Sequence, residues 1–252
     1  RGRRMPDSNA RVVAATAVAL GAAACVLASR WARCVLRRRA SVELLYFNIS
    51  GLGEPIRLAL TLAGQPFVDR RVSFDEFQQL KPTLRFGQVP CLVVDGVELF
   101  QSAAILRYVG QAFDPSGTLY PRRDLALASK VDALMDQVAD MLVGRKVYKY
   151  KSRFGFPDAL FTPELTQTVE RTWRDETLPR HLGFFIRCLA ESPTGWLAGT
   201  RAPTVADLLL ACVLRTDVAN AAPLPQSLLA FVDAVYSLPA VKAFKQAEEA
   251  AR

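Results

Sequence analysis

The 252-residue chain carries a net charge of +8, with 51% hydrophobic and 22% charged residues, five cysteines and one histidine. Nine arginines and a single acid, Asp7, lie within residues 1–40 and account for all of that charge, leaving 23 basic and 23 acidic side chains for residues 41–252. The body is neutral, so the alkaline balance belongs to a leader and gives no charge argument for a nucleic-acid partner.

The leader centres on VVAATAVALGAAACVLAS, residues 12–29, an uncharged run of 18 residues bracketed by Arg11 and Arg30. As a helix it would span about 27 Å, close to the hydrocarbon thickness of a bilayer. Three readings stand. A membrane anchor fits the length, with WARCVLRRR as the positive flank that stays cytosolic. An organelle targeting peptide fits the Arg-rich, acid-poor composition, and a cleaved secretory signal fits the small residues near Ala28. Eight of the 18 are Ala, which keeps insertion marginal, and the anchor is the favoured expectation. The body then faces the cytoplasm; the alternative is an organelle-targeted protein with a cleaved leader.

From Val42 the texture changes. VELLYF is a short apolar run ended by Asn48 and Gly51 and predicts a buried strand. GEPIRLALTLAG predicts a helix opened by Pro55 and closed by Gly64. QPFVDRRV is the next strand, followed by a short irregular piece. PCLVV and VELF are strands joined at Asp95-Gly96, a strong short-range hairpin signal, and AAILRYVGQAF then runs helical. The order β-α-β, then β-β-α, predicts a thioredoxin-like α/β domain over residues 41–119.

Past Tyr120-Pro121 the strand signals stop. DLALASKVDALMDQVADMLV has apolar residues at helical spacing. The same period continues through LTQTVERTWRDETLPRHLGFFIRCLAES, TVADLLLACVL, SLLAFVDAVYSL and AVKAFKQAEEAA, so residues 123–252 are expected to be all helix. Thr204 with Asp207 three residues on resembles a capping box, with a cap as the expected role for the carboxylate.

The cysteines at 25, 34, 91, 188 and 212 show no CxxC and no metal spacing with His181, so no metal is expected and the thiols read as reduced, apolar side chains. His181 is expected to be a structural histidine. No phosphate-binding loop and no GxSxG elbow are present.

The stretch FGQVPCLVVDGVELFQSAAILRY, residues 86–108, concentrates the chemistry. A Val89–Pro90 bond can be cis at small cost, which would turn the Val89 N–H and C=O outward as an edge for an extended peptide. Ser102 stands where a helix opens, with unpaired N–H groups and a positive dipole end, a setting that suits a carboxylate. Gln101 adds an amide. The bland alternative is that Ser102 is an ordinary N-cap.

YFN ending the first strand, FGQVP before the third, QS opening the third helix, and WLAG at 196–199 with PTVADLLL at 203–210 together closely resemble the cytosolic glutathione transferases. The nearest likeness is to the Tyr-type classes, sigma and pi. It covers about Glu43 to Ala250 and leaves the leader outside. The resemblance implies the fold of that family: an α/β thioredoxin-like N-terminal domain plus an all-α C-terminal domain. It also implies glutathione as co-substrate and a homodimer. Tyr46 matches the tyrosine whose hydroxyl bonds the glutathione sulfur. The thiolate is the nucleophile, and a free thiol is mostly protonated at neutral pH. Val89 before Pro90 would pair with the cysteinyl backbone, and Gln101 and Ser102 would hold the γ-glutamyl carboxylate. Lys81 stands where a lysine meets the glycine carboxylate, Phe77 on a position often held by Trp, and Gln88 beside them. Asp140 matches an acid that reaches the partner subunit's glutathione. Each has a plainer alternative: a packed strand aromatic for Tyr46, core for Phe77, a solvated charge for Lys81, one more helix acid for Asp140.

The chain also departs from the pattern. Sigma and pi enzymes usually carry an Arg in the turn after the first strand, where ISGLGEP has Leu52. Ser50 is a rival thiol activator, ranked second. The electrophile would lie between the halves, under Asn48, Ile49, residues 143–150 and the C-terminal helix. VGRKVYKYKSRF, residues 143–154, is either a wall favouring acidic or aromatic substrates or, the preferred reading, a solvated loop. The expected activity is conjugation of glutathione to small electrophiles, a detoxification-type reaction. The alternatives are a glutathione-dependent isomerase or peroxidase on the same site, and a non-catalytic scaffold.

Overall fold

The computed structural model describes residues 40–250; the leader and the readings attached to it lie outside them. Four strands, β1 (Val42–Phe47), β2 (Val68–Val72), β3 (Cys91–Val94) and β4 (Val97–Phe100), form one sheet in the order β2-β1-β3-β4. β1 pairs with β2 in parallel and with β3 antiparallel, and β3 and β4 form the antiparallel hairpin. Asp95 and Gly96 take positive φ values of 49° and 83° at its turn, the conformation that Asp-Gly favours between strands.

Parallel β1 and β2 need a crossover, supplied by α1 (Glu54–Leu62) with Pro55 in its first turn and Gly64 at φ 66° beyond its end. The irregular piece expected after β2 is in fact a helix, α2 (Phe74–Leu80), fastened by a capping box. Ser73 Oγ accepts from Glu76 N–H at 3.1 Å, and Glu76 accepts from Ser73 N–H at 2.7 Å. A seven-residue helix is too short to show a period, so only its S-x-x-E cap marks it in the sequence. α3 (Ser102–Ala112) closes this half.

The remainder is helical. In chain order come α4 (Leu125–Met141), α5 (Val143–Lys149), α6 (Pro163–Thr172), α7 (Leu178–Glu191), α8 (Val205–Val213), α9 (Gln226–Tyr236) and α10 (Pro239–Ala250). α5 corrects the solvated-loop expectation for the first part of VGRKVYKYKSRF, and a 3-10 turn over Lys151–Phe154 follows it. Every residue of α8 is buried, as expected for a helix apolar on all sides. Asp207 is the exception in chemistry, 0% exposed, and its carboxylate is fully used. Oδ2 accepts from Thr204 N–H and Oγ1, both at 2.7 Å, and Oδ1 from Leu197 N–H at 2.8 Å. The cap expected for this acid is its role. Among the described residues no single helix is long and apolar enough to cross a membrane.

α1 is packed between α3 and the helical half, against α8 and α10, and buries two charges, Glu54 at 1% and Arg57 at 0% exposure. Unpaired buried charges are prohibitive, and here they belong to a closed ring of six. Glu54 pairs with Arg57 at 3.8 Å, Arg57 with Asp69 at 2.9 Å and Asp69 with Arg71 at 2.7 Å. Arg71 reaches Glu248 at 2.5 Å, Glu248 meets Lys245, and Lys245 returns to Glu54 at 2.8 Å. Three positive and three negative groups alternate, so the ring is neutral, and it ties α1 and β2 to α10.

Two expectations follow. Burial pushes the Glu248 carboxyl up, but the hydrogen bonds from Lys245 and Arg71 outweigh this and hold it at about 2. A folded value below the unfolded one of about 4.3 stabilises above the unfolded value, and that stability is lost as pH falls through 2. Glu248→Gln therefore lowers Tm at neutral pH, and the gap from the wild type closes between about pH 4.5 and pH 2 in thermal scans. Asp207→Ala leaves the Thr204 and Leu197 N–H groups buried without acceptors and costs about 3–5 kcal/mol in denaturant unfolding.

Candidate functional site

The turn after β1 fixes the first wall of the site. Its glycines are set by Tyr46, 7% exposed at the end of the strand. A Cβ on Gly51 would lie 2.5 Å from the Tyr46 hydroxyl, and one on Gly53 would lie 2.4 Å from ring atom Cδ1. Only a chain bare of side chains at both positions can wrap this ring. The turn is anchored from behind by Arg57, which donates to the carbonyls of Ile49 at 3.0 Å and Phe47 at 3.3 Å. The guanidinium carbon lies 5.7 Å from the centre of the Tyr46 ring. Arg71 donates to Asn48 Oδ1 at 2.9 Å, so two members of the charge ring hold the turn.

The Tyr46 hydroxyl accepts a hydrogen bond from Leu52 N–H at 3.0 Å. Burial pushes the phenol up from its ordinary value, and the Leu52 bond offsets this in part. The group is thus a neutral phenol at physiological pH, with its own proton free of that bond. The rival Ser50 makes no capping bond with its side chain at the start of the 3-10 turn Gly51–Gly53.

An open cleft lies beside this turn. Gln88, Val89, Pro90, Gln101 and Ser102 all line it, so five residues singled out in the sequence are brought together in one place. The Val89–Pro90 peptide is cis. Ser102 is the first residue of α3, and the position before the helix is taken by Gln101, whose side chain makes no cap bond. Ser102 is therefore not the N-cap of the plainer alternative. Gln101 sits at φ 67°, a region that costs a non-glycine residue about 1–3 kcal/mol and tends to occur at functional sites. Leu52 lines the same cleft from the turn.

The other candidates stand elsewhere. Tyr46 does not itself line the cleft; its partner Leu52 does. Phe77 packs into the core with Leu45, Val72, Leu84 and Cys91 and meets the Phe47 ring edge-on at 5.1 Å. Lys81 is exposed at the end of α2, its stem running past Gly87. Asp140 is exposed near the end of α4.

Sequence reasoning missed Arg153 as a site residue. It lies in the 3-10 turn after α5, lines the cleft and donates to Gln88 Oε1 at 2.7 Å. Its only sequence signal was its place in the basic, aromatic run.

Among the described residues, the buried thiols Cys91 and Cys212 and the histidine line no part of the cleft. Burial pushes Cys91 up to about 11 and Cys212 up to about 12, values that leave neither a thiolate at neutral pH. His181 is buried, with Nδ1 2.6 Å from Gln137 Nε2. Among the described residues no group of His, Cys, Asp and Glu side chains is placed to hold a metal ion.

Comparison with known proteins matches this arrangement. Residues 42–111 fit the family model "Glutathione S-transferase, N-terminal domain", and residues 155–248 fit "Glutathione S-transferase, C-terminal domain". Glutathione S-transferase 4 of Caenorhabditis elegans is 31% identical over 203 residues, covering 79% of this chain and 93% of that protein. A solved glutathione S-transferase structure from the same nematode aligns with TM-score 0.68 and 29% identity, over 82% of this chain and 98% of that one. The structure of prostaglandin synthase D of Nilaparvata lugens aligns with TM-score 0.68 and 28% identity, over 82% and 97%. With its thioredoxin-like sheet half, its helical half and its cleft at the cis-proline, the chain belongs to the glutathione S-transferase family and is an enzyme of the glutathione transferase kind.

Proposed function

We propose that this transferase is of the Tyr type: Tyr46 holds the sulfur of glutathione as a thiolate, which attacks a small electrophile. The observation that carries this reading is the bond from Leu52 N–H to the Tyr46 hydroxyl at 3.0 Å. A hydroxyl has one donor and two acceptor sites. Leu52 fills an acceptor site and fixes the oxygen against the turn, leaving the proton to be donated. Burial keeps the phenol protonated, so at neutral pH it acts as a donor. An O–H···S⁻ bond is charge-assisted and lowers the cost of ionising a thiol whose free value is about 8.5. The proton lost from sulfur passes to solvent, and the sulfur lone pair forms the new bond to carbon as a leaving group such as halide departs with its bonding pair, or as the π pair of an enone takes up a proton from solvent.

In this reading the tripeptide runs along Val89 and Pro90 in extended form, pairing its cysteinyl backbone with Val89. Its γ-glutamyl carboxylate lies at Gln101 and Ser102, where the 11-residue helix α3 begins and its N–H groups favour an anion. Gln88 sits toward the glycyl end. Lys81 and Phe77 enter only as supports of the loop, and Asp140 belongs to a homodimer contact. Residues 41–119 and 123–252 are taken as the two domains. Residues 12–29 are carried as a membrane anchor on composition alone; fractionating a full-chain reporter fusion and sizing it separates a retained anchor from a cleaved leader.

The likeness to prostaglandin synthase D of Nilaparvata lugens favours one further reading, a glutathione-dependent isomerase that uses the same thiolate and regenerates it. Conjugation to a generic aryl halide, measured beside isomerisation with catalytic glutathione, separates the two. Under either reading Tyr46→Phe lowers turnover about tenfold or more, a barrier change of about 1.4 kcal/mol, while Ser50→Ala stays near the wild type. A larger loss in Ser50→Ala would move thiol activation to the serine. Glutathione binding with no turnover of any electrophile would leave a scaffold.

A further inference from the structure

We infer that Arg153, contributed by the helical half, is the cation that binds the glycine carboxylate of glutathione. The inference rests on the glutathione-binding reading of the cleft and deepens it. Of the residues lining the cleft, Arg153 alone is charged. It is held by a neutral partner, Gln88 Oε1 at 2.7 Å, with its guanidinium carbon 5.9 Å from the centre of the Phe154 ring. No ion pair joins it to an acid among the described residues.

Lys146, one helix earlier on the same segment, is pushed below its ordinary value first by burial and then by the Arg153 charge. A planar guanidinium with one N–H committed to an amide keeps further N–H groups for a carboxylate, which it can grip with two parallel bonds.

Which carboxylate it meets follows from the direction of the tripeptide. With the γ-glutamyl end at Ser102 and the cysteinyl unit on Val89, the glycyl end lies on the side of Gln88, where Arg153 is bound. Lys81 does not line the cleft, and Leu52, which does, carries no charge.

The test uses the full chain and calorimetric titration with two probes, glutathione and its glycine monoethyl ester, which removes only the carboxylate charge in question. Wild type is expected to bind glutathione about tenfold more tightly than the ester. In Arg153→Ala the affinity for glutathione falls to that for the ester, while the affinity for the ester is unchanged. Arg153→Lys, which keeps the charge but not the fork, retains part of the discrimination, and the Tm of both variants matches the wild type. Full affinity for glutathione in Arg153→Ala overturns the inference, as does an equal loss for both probes. Wild type that binds neither probe overturns the glutathione reading itself.

Discussion

Two opposite charges placed in the first turn of α1 constrain the whole molecule. Glu54 and Arg57 are on a helix that is covered by the sheet half and the helical half at once, so water cannot solvate them. The solution is a closed circuit of six alternating charges drawn from α1, β2 and α10. Removing one member of a buried pair usually costs more than the pair contributes, because the survivor stays buried. A circuit spreads that vulnerability over six positions. It also fixes the angle at which the last helix meets the first crossover.

The same circuit reaches the chemistry. Arg57 faces Asp69 with one nitrogen and the carbonyls of Phe47 and Ile49 with others, and Arg71 holds the Asn48 side chain. The turn that wraps Tyr46 is thus braced by groups that are themselves braced by the C-terminal helix. Against this rigid floor the cleft is completed from three other places: the loop at Pro90, the strained residue before α3, and the 3-10 turn after α5. The lining of the cleft is drawn from both halves of the protein.

Much of the sheet half could be read from the sequence because its signals are local. The Asp95-Gly96 turn, the Pro55 and Gly64 helix limits, and the QS step before α3 each depend on a few adjacent residues. α2 escaped because a helix of two turns offers no period, although Ser73 and Glu76 spelled out its cap. Phe77 faces the core and Lys81 faces solvent, the plainer alternatives that the sequence also offered for them. Arg153 was hidden for a different reason. Its meaning comes from Gln88, 65 residues away, and in isolation it is one more cation in a basic run. The charge circuit is equally silent, since none of its six members looks unusual in its own segment.

The circuit has a consequence for the order in which the protein is made. Its first four members lie between residues 54 and 71, and its last two at 245 and 248. A chain emerging from the ribosome holds four alternating charges, neutral in sum but open at both ends, for as long as the helical half is being synthesised. Glu54 and Arg71 are the loose ends, and only the arrival of α10 joins them. The sheet half therefore acquires its final circuit partners only after the helical half through α10 has been translated. The turn around Tyr46 is fully braced only once Lys245 and Glu248 have joined the circuit.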